Sequence, residues 1–147
     1  MPDSEELLDE KEAVKRLNTA LELQYRSALQ YSIAAASLSG MEALALGPQL
    51  TEFGDHELSG ARALIEKIVS FGGKPTTEVA ALKHQAKPEK ALKWLFECED
   101  EAIEALQAAI EPTGREAASE AVEHRLEHMI MRKQEQVDYL LRARRRP

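Results

Sequence analysis

The chain has 147 residues, of which 44% are hydrophobic and 31% charged, and its formal net charge at pH 7 is -7. This size is typical of a single domain that buries roughly 70% of its unfolded surface, and the acidic balance argues against a nucleic-acid-binding surface over the whole protein. No apolar run approaches the roughly 20 residues that span a bilayer, Cys98 is the only cysteine, and Met1–Glu6 lacks the features of a signal peptide, so we expect a cytoplasmic protein without intrachain disulfides.

Four helical segments are predicted, because apolar residues recur at helical spacing between places where glycine and proline collect. Pro48 suits the first turn of the second helix, and Gly72 suits its end. Pro112 ends the third helix, and Thr113 with Glu116 forms a capping box for the fourth. The predicted helices are residues 4–39, 48–72, 88–111 and 114–144, within one domain.

The connections between these helices select a topology. The first and last connections are short, which predicts antiparallel neighbours. Residues 73–87 supply a long connection that reaches about 50 Å when extended, whereas a helix of about 25 residues is only about 37 Å long. The sequence therefore predicts an all-α four-helix bundle with one long crossover between the second and third helices.

Several stretches of the chain are similar to one known superfamily. Residues 57–75 resemble the second helix of bacterioferritins, in which a Glu-x-x-His motif is followed by a Glu-Arg-Ile-like turn and a Gly-x-Pro exit. Residues 17–31, 99–110 and 138–140 resemble parts of the other three helices. The chain thus resembles the ferritin-like superfamily and is closest in pattern to bacterioferritin and related ferritin-like domain proteins. The resemblance implies a ferritin-like four-helix bundle.

The resemblance also implies the positions of a di-iron centre, whose usual ligands are one Glu from each of two helices and a Glu-x-x-His from each of the other two. The sequence contains no Glu-x-x-His. In the register of the resemblance, the six ligand positions hold Gln24, Glu57, Gly60, Glu99, Lys133 and Gln136. This set retains two carboxylates and adds an ammonium, so its negative charge is too small for two iron ions. We therefore expect no catalytic residue, no resident metal and no ferroxidase activity.

The same register predicts a different use for these residues. Buried carboxylates require partners, and a lysine at a former ligand position is well placed to supply one. We expect a buried ion pair or triad of Glu57, Glu99 and Lys133, with the Lys133 ammonium within about 4 Å of a carboxylate oxygen. The position of the haem-binding methionine of bacterioferritin holds Leu58, which cannot ligate iron, so no haem is expected.

Two further features have alternative readings. His124 and His128 lie one turn apart and form either a surface metal clip on the fourth helix or part of a solvated stripe. The C-terminal arginines either hold DNA or complement the dipole of the helix, and the acidity of the chain favours the second reading. These arginines are Arg142, Arg144, Arg145 and Arg146.

Three functions remain open from sequence. The first is a non-catalytic ferritin-like bundle that acts as a self-associating scaffold or binding protein after loss of the di-iron centre. The second is an iron-binding or iron-storage homologue with noncanonical ligands, and the third is an anion- or DNA-binding bundle that uses the arginine tail. We expect a homodimer or a larger homo-oligomer and no membrane or nucleic-acid partner. The apolar surface assigned to self-association is Ala34, Ala35, Ala36, Leu44, Leu46 and Leu50.

Overall fold

A computed structural model describes residues 9–110 and 117–144 of the chain. Its helices are α1 (Glu10–Ser37), α2 (Met41–Ser70), α3 (Pro88–Ile110) and α4 (Ala117–Arg144). Helix α1 packs against α2 and α3, and α3 packs against α4, whereas α2 and α4 approach each other at few positions. The predicted all-α four-helix bundle is confirmed. None of the described helices is long and apolar enough to cross a membrane.

The helix boundaries differ from the predicted ones most clearly in α2. The sequence places its start at Pro48, but the helix begins at Met41 and continues through Pro48. This start is favoured because Ala43 is buried and packs, together with the partly buried Leu46, in one of the core clusters. Packing of the first two turns therefore outweighs the backbone hydrogen bond that proline cannot donate.

The start of α1 is set by a local contact. Helix α1 begins at Glu10, where the Asp9 side chain accepts a hydrogen bond of 3.1 Å from the backbone N–H of Glu12. The predicted helical residues 4–8 lie outside the described residues. The predicted capping box of Thr113 and Glu116 also lies outside them.

The hydrophobic core has two parts at opposite ends of the bundle. One part contains Leu17, Leu64, Leu106 and Leu126, and the other contains Tyr31, Leu50, Leu95 and Leu140. Each part takes residues from all four helices. The early residues of α1 meet the late residues of α2, and the late residues of α3 meet the early residues of α4, so both of these pairs are antiparallel. Between the two parts lies a layer of polar side chains.

The crossover, residues 71–87, connects α2 to α3 and runs alongside α1. The Asn18 side chain donates to the Lys74 carbonyl (3.0 Å) and accepts from the Thr76 N–H (2.8 Å). Gln30, which is buried, donates to the Lys83 carbonyl (2.8 Å) and accepts from the Lys83 N–H (2.7 Å). Polar residues of α1 thus satisfy backbone groups of the connection and fix its path along the bundle.

A cationic cluster extends this attachment to α3. The buried Arg26 donates to the Glu101 carboxylate (2.8 Å), and its guanidinium lies 5.2 Å from the ring centroid of Trp94. The Lys83 ammonium lies 4.2 Å from the same centroid. These cation–π contacts tie the end of the crossover to α1 and α3.

Candidate functional site

The polar layer in the middle of the bundle contains residues from every helix. Gln24 lies on α1, Glu57 and Gly60 on α2, Glu99 on α3, and Lys133 and Gln136 on α4. The five side chains of the layer are at most 2% exposed. Helical spacing turns each of them inward at the same height, between the two apolar parts of the core. The structure therefore brings together all six positions that the resemblance assigned to a metal centre.

Lys133 lies at the centre of the layer. Its Nζ donates to Glu57 Oε2 (2.5 Å) and to Glu99 Oε1 (3.0 Å), and the lysine itself is only 2% exposed. Both carboxylates therefore share one ammonium group. Such a buried contact requires near-ideal geometry, because removing charges from water costs several kcal/mol per ion.

Two glutamines complete the hydrogen bonding of the carboxylates. Gln24 Nε2 donates to the Glu57 backbone carbonyl (2.8 Å) and to the Glu57 carboxylate. Gln136 Nε2 donates to Glu99 Oε2 (2.8 Å) and also to the Glu57 carboxylate. Glu57 thus accepts from three side chains and Glu99 from two. The amide oxygens of both glutamines have no hydrogen-bond partner among the described residues.

Gly60 leaves the room that this network needs. A Cβ at position 60 would lie 2.8 Å from Gln24 Nε2 and 3.0 Å from the terminal methyl of Met129. Glycine within a helix costs up to about 1 kcal/mol relative to alanine. Here a side chain at residue 60 would displace the amide that Gln24 directs to Glu57, so the small residue suits the layer despite that cost.

The surroundings of the layer shift the pKa values of Glu99 and Lys133. Burial, followed by the neighbouring Glu57 carboxylate, raises the pKa of Glu99 from 4.5 to about 7, against the opposing effect of Lys133. Burial alone would lower the pKa of Lys133, but Glu57 and Glu99 outweigh it and the pKa lies above its ordinary value. The lysine is therefore charged at neutral pH, and Glu99 takes up a proton at a higher pH than an exposed glutamate does.

Two more titratable side chains lie near the layer. Burial, then the charges of Glu99 and Glu57, raises the pKa of the Tyr31 hydroxyl well above 10. Burial also raises the pKa of the Cys98 thiol to about 12. Both groups are neutral at physiological pH, and a protonated, buried thiol is a poor nucleophile and a poor metal ligand.

The carboxylates of the layer are already engaged by an ammonium group. Glu57 and Glu99 are the only carboxylates of the layer, and both are engaged by Lys133. An ammonium between the carboxylates repels a divalent cation and occupies the oxygens that would bind it. In residues 9–110 and 117–144, no group of three or more His, Cys, Asp or Glu side chains is arranged to hold a metal ion.

The remaining candidates lie at the surface. Leu58, at the haem-ligand position of the resemblance, is 46% exposed on α2. His124 and His128 line a cleft between α2 and α4, together with Arg125 and Arg132. Arg125 and Arg132 are not among the residues predicted from sequence, although their i, i+7 spacing indicates that they share a face of α4 with His128. Of the C-terminal arginines, Arg145 and Arg146 lie outside the described residues.

The residues assigned to self-association divide into two groups. Ala34 and Leu50 are buried in the core, so the expectation that they form surface beyond the core is wrong. Leu44 is 64% exposed, and Leu46 is only partly buried. The early start of α2 explains the error, because it adds two turns whose inner face needs these partners.

Comparison with known proteins identifies the family of the chain and structures with a similar fold. Residues 14–143 match the family model of the ferritin-like domain. A ferritin-like, diiron-carboxylate protein from Bacillus anthracis str. Ames is 28% identical, with a TM-score of 0.85 over 93% of this chain and 98% of that one. No curated protein matches the chain in sequence.

Two more distant structures share the same fold. The bacterioferritin-related protein from Bacteroides fragilis, described as a dodecameric thioferritin, is 18% identical, with a TM-score of 0.80 over 92% of this chain and 86% of that one. The bacterioferritin of Rhodobacter capsulatus, described with a metal-free dinuclear site and haem iron, is 18% identical, with a TM-score of 0.71 over 90% and 82% of the two chains.

Proposed function

Because the chain belongs to the ferritin-like domain family, we propose that it is a non-catalytic member of that family, in which the Lys133 ammonium takes the place of the metal ions between the helices. The observation that carries the proposal is the burial of Lys133 between Glu57 and Glu99. The layer then serves to hold the four helices in register rather than to oxidise iron.

Charge balance supports this proposal. Two ionised carboxylates and one ammonium leave the layer with one excess negative charge, and protonation of Glu99 removes it. With Glu99 protonated the layer is neutral without a metal, and with both carboxylates ionised a divalent cation would give the layer a net positive charge. Gln136 donates to the two carboxylate oxygens that the ammonium leaves free, Glu57 Oε1 and Glu99 Oε2, and Gln24 adds a second donor to Glu57 Oε2.

We further propose that the bundle functions as a self-associating scaffold. Leu44, Leu58 and Val69 are each about half exposed or more and lie along one stripe of α2, since they are separated by nearly whole numbers of turns. Exposed apolar side chains on one face of a long helix offer a surface against which a second copy of the chain can pack. The Bacteroides fragilis relative is described as dodecameric, which is consistent with self-association in this fold.

Metal analysis tests the loss of the metal centre. The purified full-length protein, produced in iron-supplemented medium, is expected to carry well under one iron or manganese per chain and to leave Fe(II) oxidation at the rate of a buffer control. Lys133→Gln removes the ammonium but keeps both carboxylates, so it is expected to bind more metal than the parent. Stoichiometric iron in the parent, with faster Fe(II) oxidation, would contradict the proposal.

The alternative is an iron-binding homologue that uses noncanonical ligands. One observation favours it: the amide oxygens of Gln24 and Gln136 have no partner among the described residues and lie beside the two carboxylates. An amide oxygen is a weak neutral ligand, and Lys133 would have to leave the layer for a metal to enter. The metal analysis of the parent distinguishes the two functions.

A further inference from the structure

A cleft of about 390 Å³ opens between α2 and α4, where the two helices make few contacts. Its α4 side is formed by Arg125, His128 and Arg132, whose i, i+3, i+7 spacing puts them on one face of the helix. Ser59 contributes a hydroxyl from α2. The volume falls in the range of cavities that bind small molecules.

The polar lining of the cleft is basic. Arg125 and Arg132 are joined there by two histidines, His124 and His128, and no Asp or Glu is among the lining residues. Neither arginine forms an ion pair with a carboxylate of the described residues, which leaves both guanidinium groups available. Although the chain has a net charge of -7, the charged residues that line the cleft are cationic, and a cleft lined by one sign of charge concentrates ions of the opposite sign.

The inner part of the cleft is apolar. Ala63 is buried at its α2 side, and the partly buried Met129 projects from α4 toward Gly60. The absence of a side chain at Gly60 keeps this part of the cleft open. Methionine is flexible and polarisable, so it adapts to the shape of an apolar ligand group.

We propose that this cleft binds a small organic anion, with its carboxylate or phosphate group between Arg125 and Arg132 and its apolar part against Met129 and Ala63. Guanidinium groups form paired, charge-assisted hydrogen bonds with both kinds of anion. The same two guanidinium groups flank His124 and His128 and repel a divalent cation, so the arrangement favours an anion over a metal clip.

The proposal is tested by calorimetric titration of the full-length protein, at low ionic strength, with phenyl phosphate, benzoate, inorganic phosphate and benzylamine. Phenyl phosphate and benzoate separate the two anionic groups, and benzylamine is a cation of similar shape. We expect at least one aromatic anion to bind with a stoichiometry near one per chain and benzylamine not to bind. Equal binding of benzylamine, no binding of either aromatic anion, or inorganic phosphate binding as tightly as phenyl phosphate would overturn the proposal.

Two matched double variants locate the site. Arg125→Gln with Arg132→Gln is expected to weaken binding of the anion at least about 10-fold, because each charge-assisted contact contributes more than a neutral one. Arg62→Gln with Arg142→Gln changes the net charge equally at exposed positions outside the cleft and is expected to bind as the parent does. Equal losses in both variants would show nonspecific attraction and refute the site. The outcome does not depend on the metal content of the central layer, which is measured separately.

Discussion

Replacing Lys133 with methionine tests the central layer most directly. The substitution keeps an unbranched apolar side chain close in length to the lysine stem but removes the ammonium that donates to Glu57 (2.5 Å) and Glu99 (3.0 Å). Glu57 would retain its donors from Gln24 and Gln136, whereas Glu99 would retain only Gln136. Two adjacent carboxylates would then lie in the core without a cation.

The expected cost follows from that stranded charge. Removing one partner of a buried ion pair destabilises a protein by about 3–5 kcal/mol, and the 2% exposure of Lys133 places it in this class. Part of the loss is offset if Glu99 takes up a proton, so the cost should be smaller at pH 5 than at pH 8. Converting both acids as well, by Glu57→Gln and Glu99→Gln, should restore much of the stability, because no unpaired charge then remains.

Urea unfolding followed by circular dichroism measures these differences. Lys93→Met, at an exposed position of α3, is the matched control and should change the free energy of unfolding by no more than about 0.5 kcal/mol. If Lys133→Met is as stable as the parent at pH 8, the ammonium does not hold the layer together and the reasoning is refuted. A triple variant no more stable than the single one would show that the loss comes from packing instead of charge.

Three further predictions concern proton uptake, the crossover and assembly. The pKa of Glu99 is raised from 4.5 to about 7, so the stability contributed by its proton is present below about pH 4.5 and is lost as the pH rises through about 7. Glu99→Gln has no such proton to lose, so its free energy of unfolding should gain up to about 3 kcal/mol relative to the parent between pH 5 and pH 8. A constant difference in urea unfolding would contradict this. Gln30→Ala removes both hydrogen bonds to the Lys83 backbone, so it should cost about 1–3 kcal/mol of stability and speed hydrogen exchange of the Lys83 amide. Gln107→Ala, at an exposed position of α3, is the control and should do neither. Unchanged exchange in Gln30→Ala would show that other contacts hold the crossover. Light scattering at micromolar concentration should give the mass of a dimer or larger oligomer, and Leu44→Glu with Leu58→Glu should lower it; a monomeric mass for the parent would argue against self-association through α2.

Much of the fold and of the central layer follows from local spacing. Apolar residues at a period of 3.6 predict the four helices, and the long stretch before Pro88 predicts a crossover. The same periodicity places Glu57 and Gly60, or Lys133 and Gln136, on one face of a helix, because residues three apart are neighbours on its surface. A register taken from the resemblance is then enough to bring six positions from four helices into one layer.

Other features were decided only by tertiary contacts. The sequence marks Pro48 as a helix start, yet burial of Ala43 against the core extends α2 back to Met41. In the sequence Gln30 is an ordinary polar residue of α1. Its role appears only in the folded chain, where the crossover lies beside it and the Lys83 backbone is its hydrogen-bond partner. The cleft beside Arg125 likewise exists because α2 and α4 approach each other at few positions. Spacing along one helix fixes which side chains share a face, but what that face meets depends on contacts between residues far apart in the chain, and no local pattern encodes their energy.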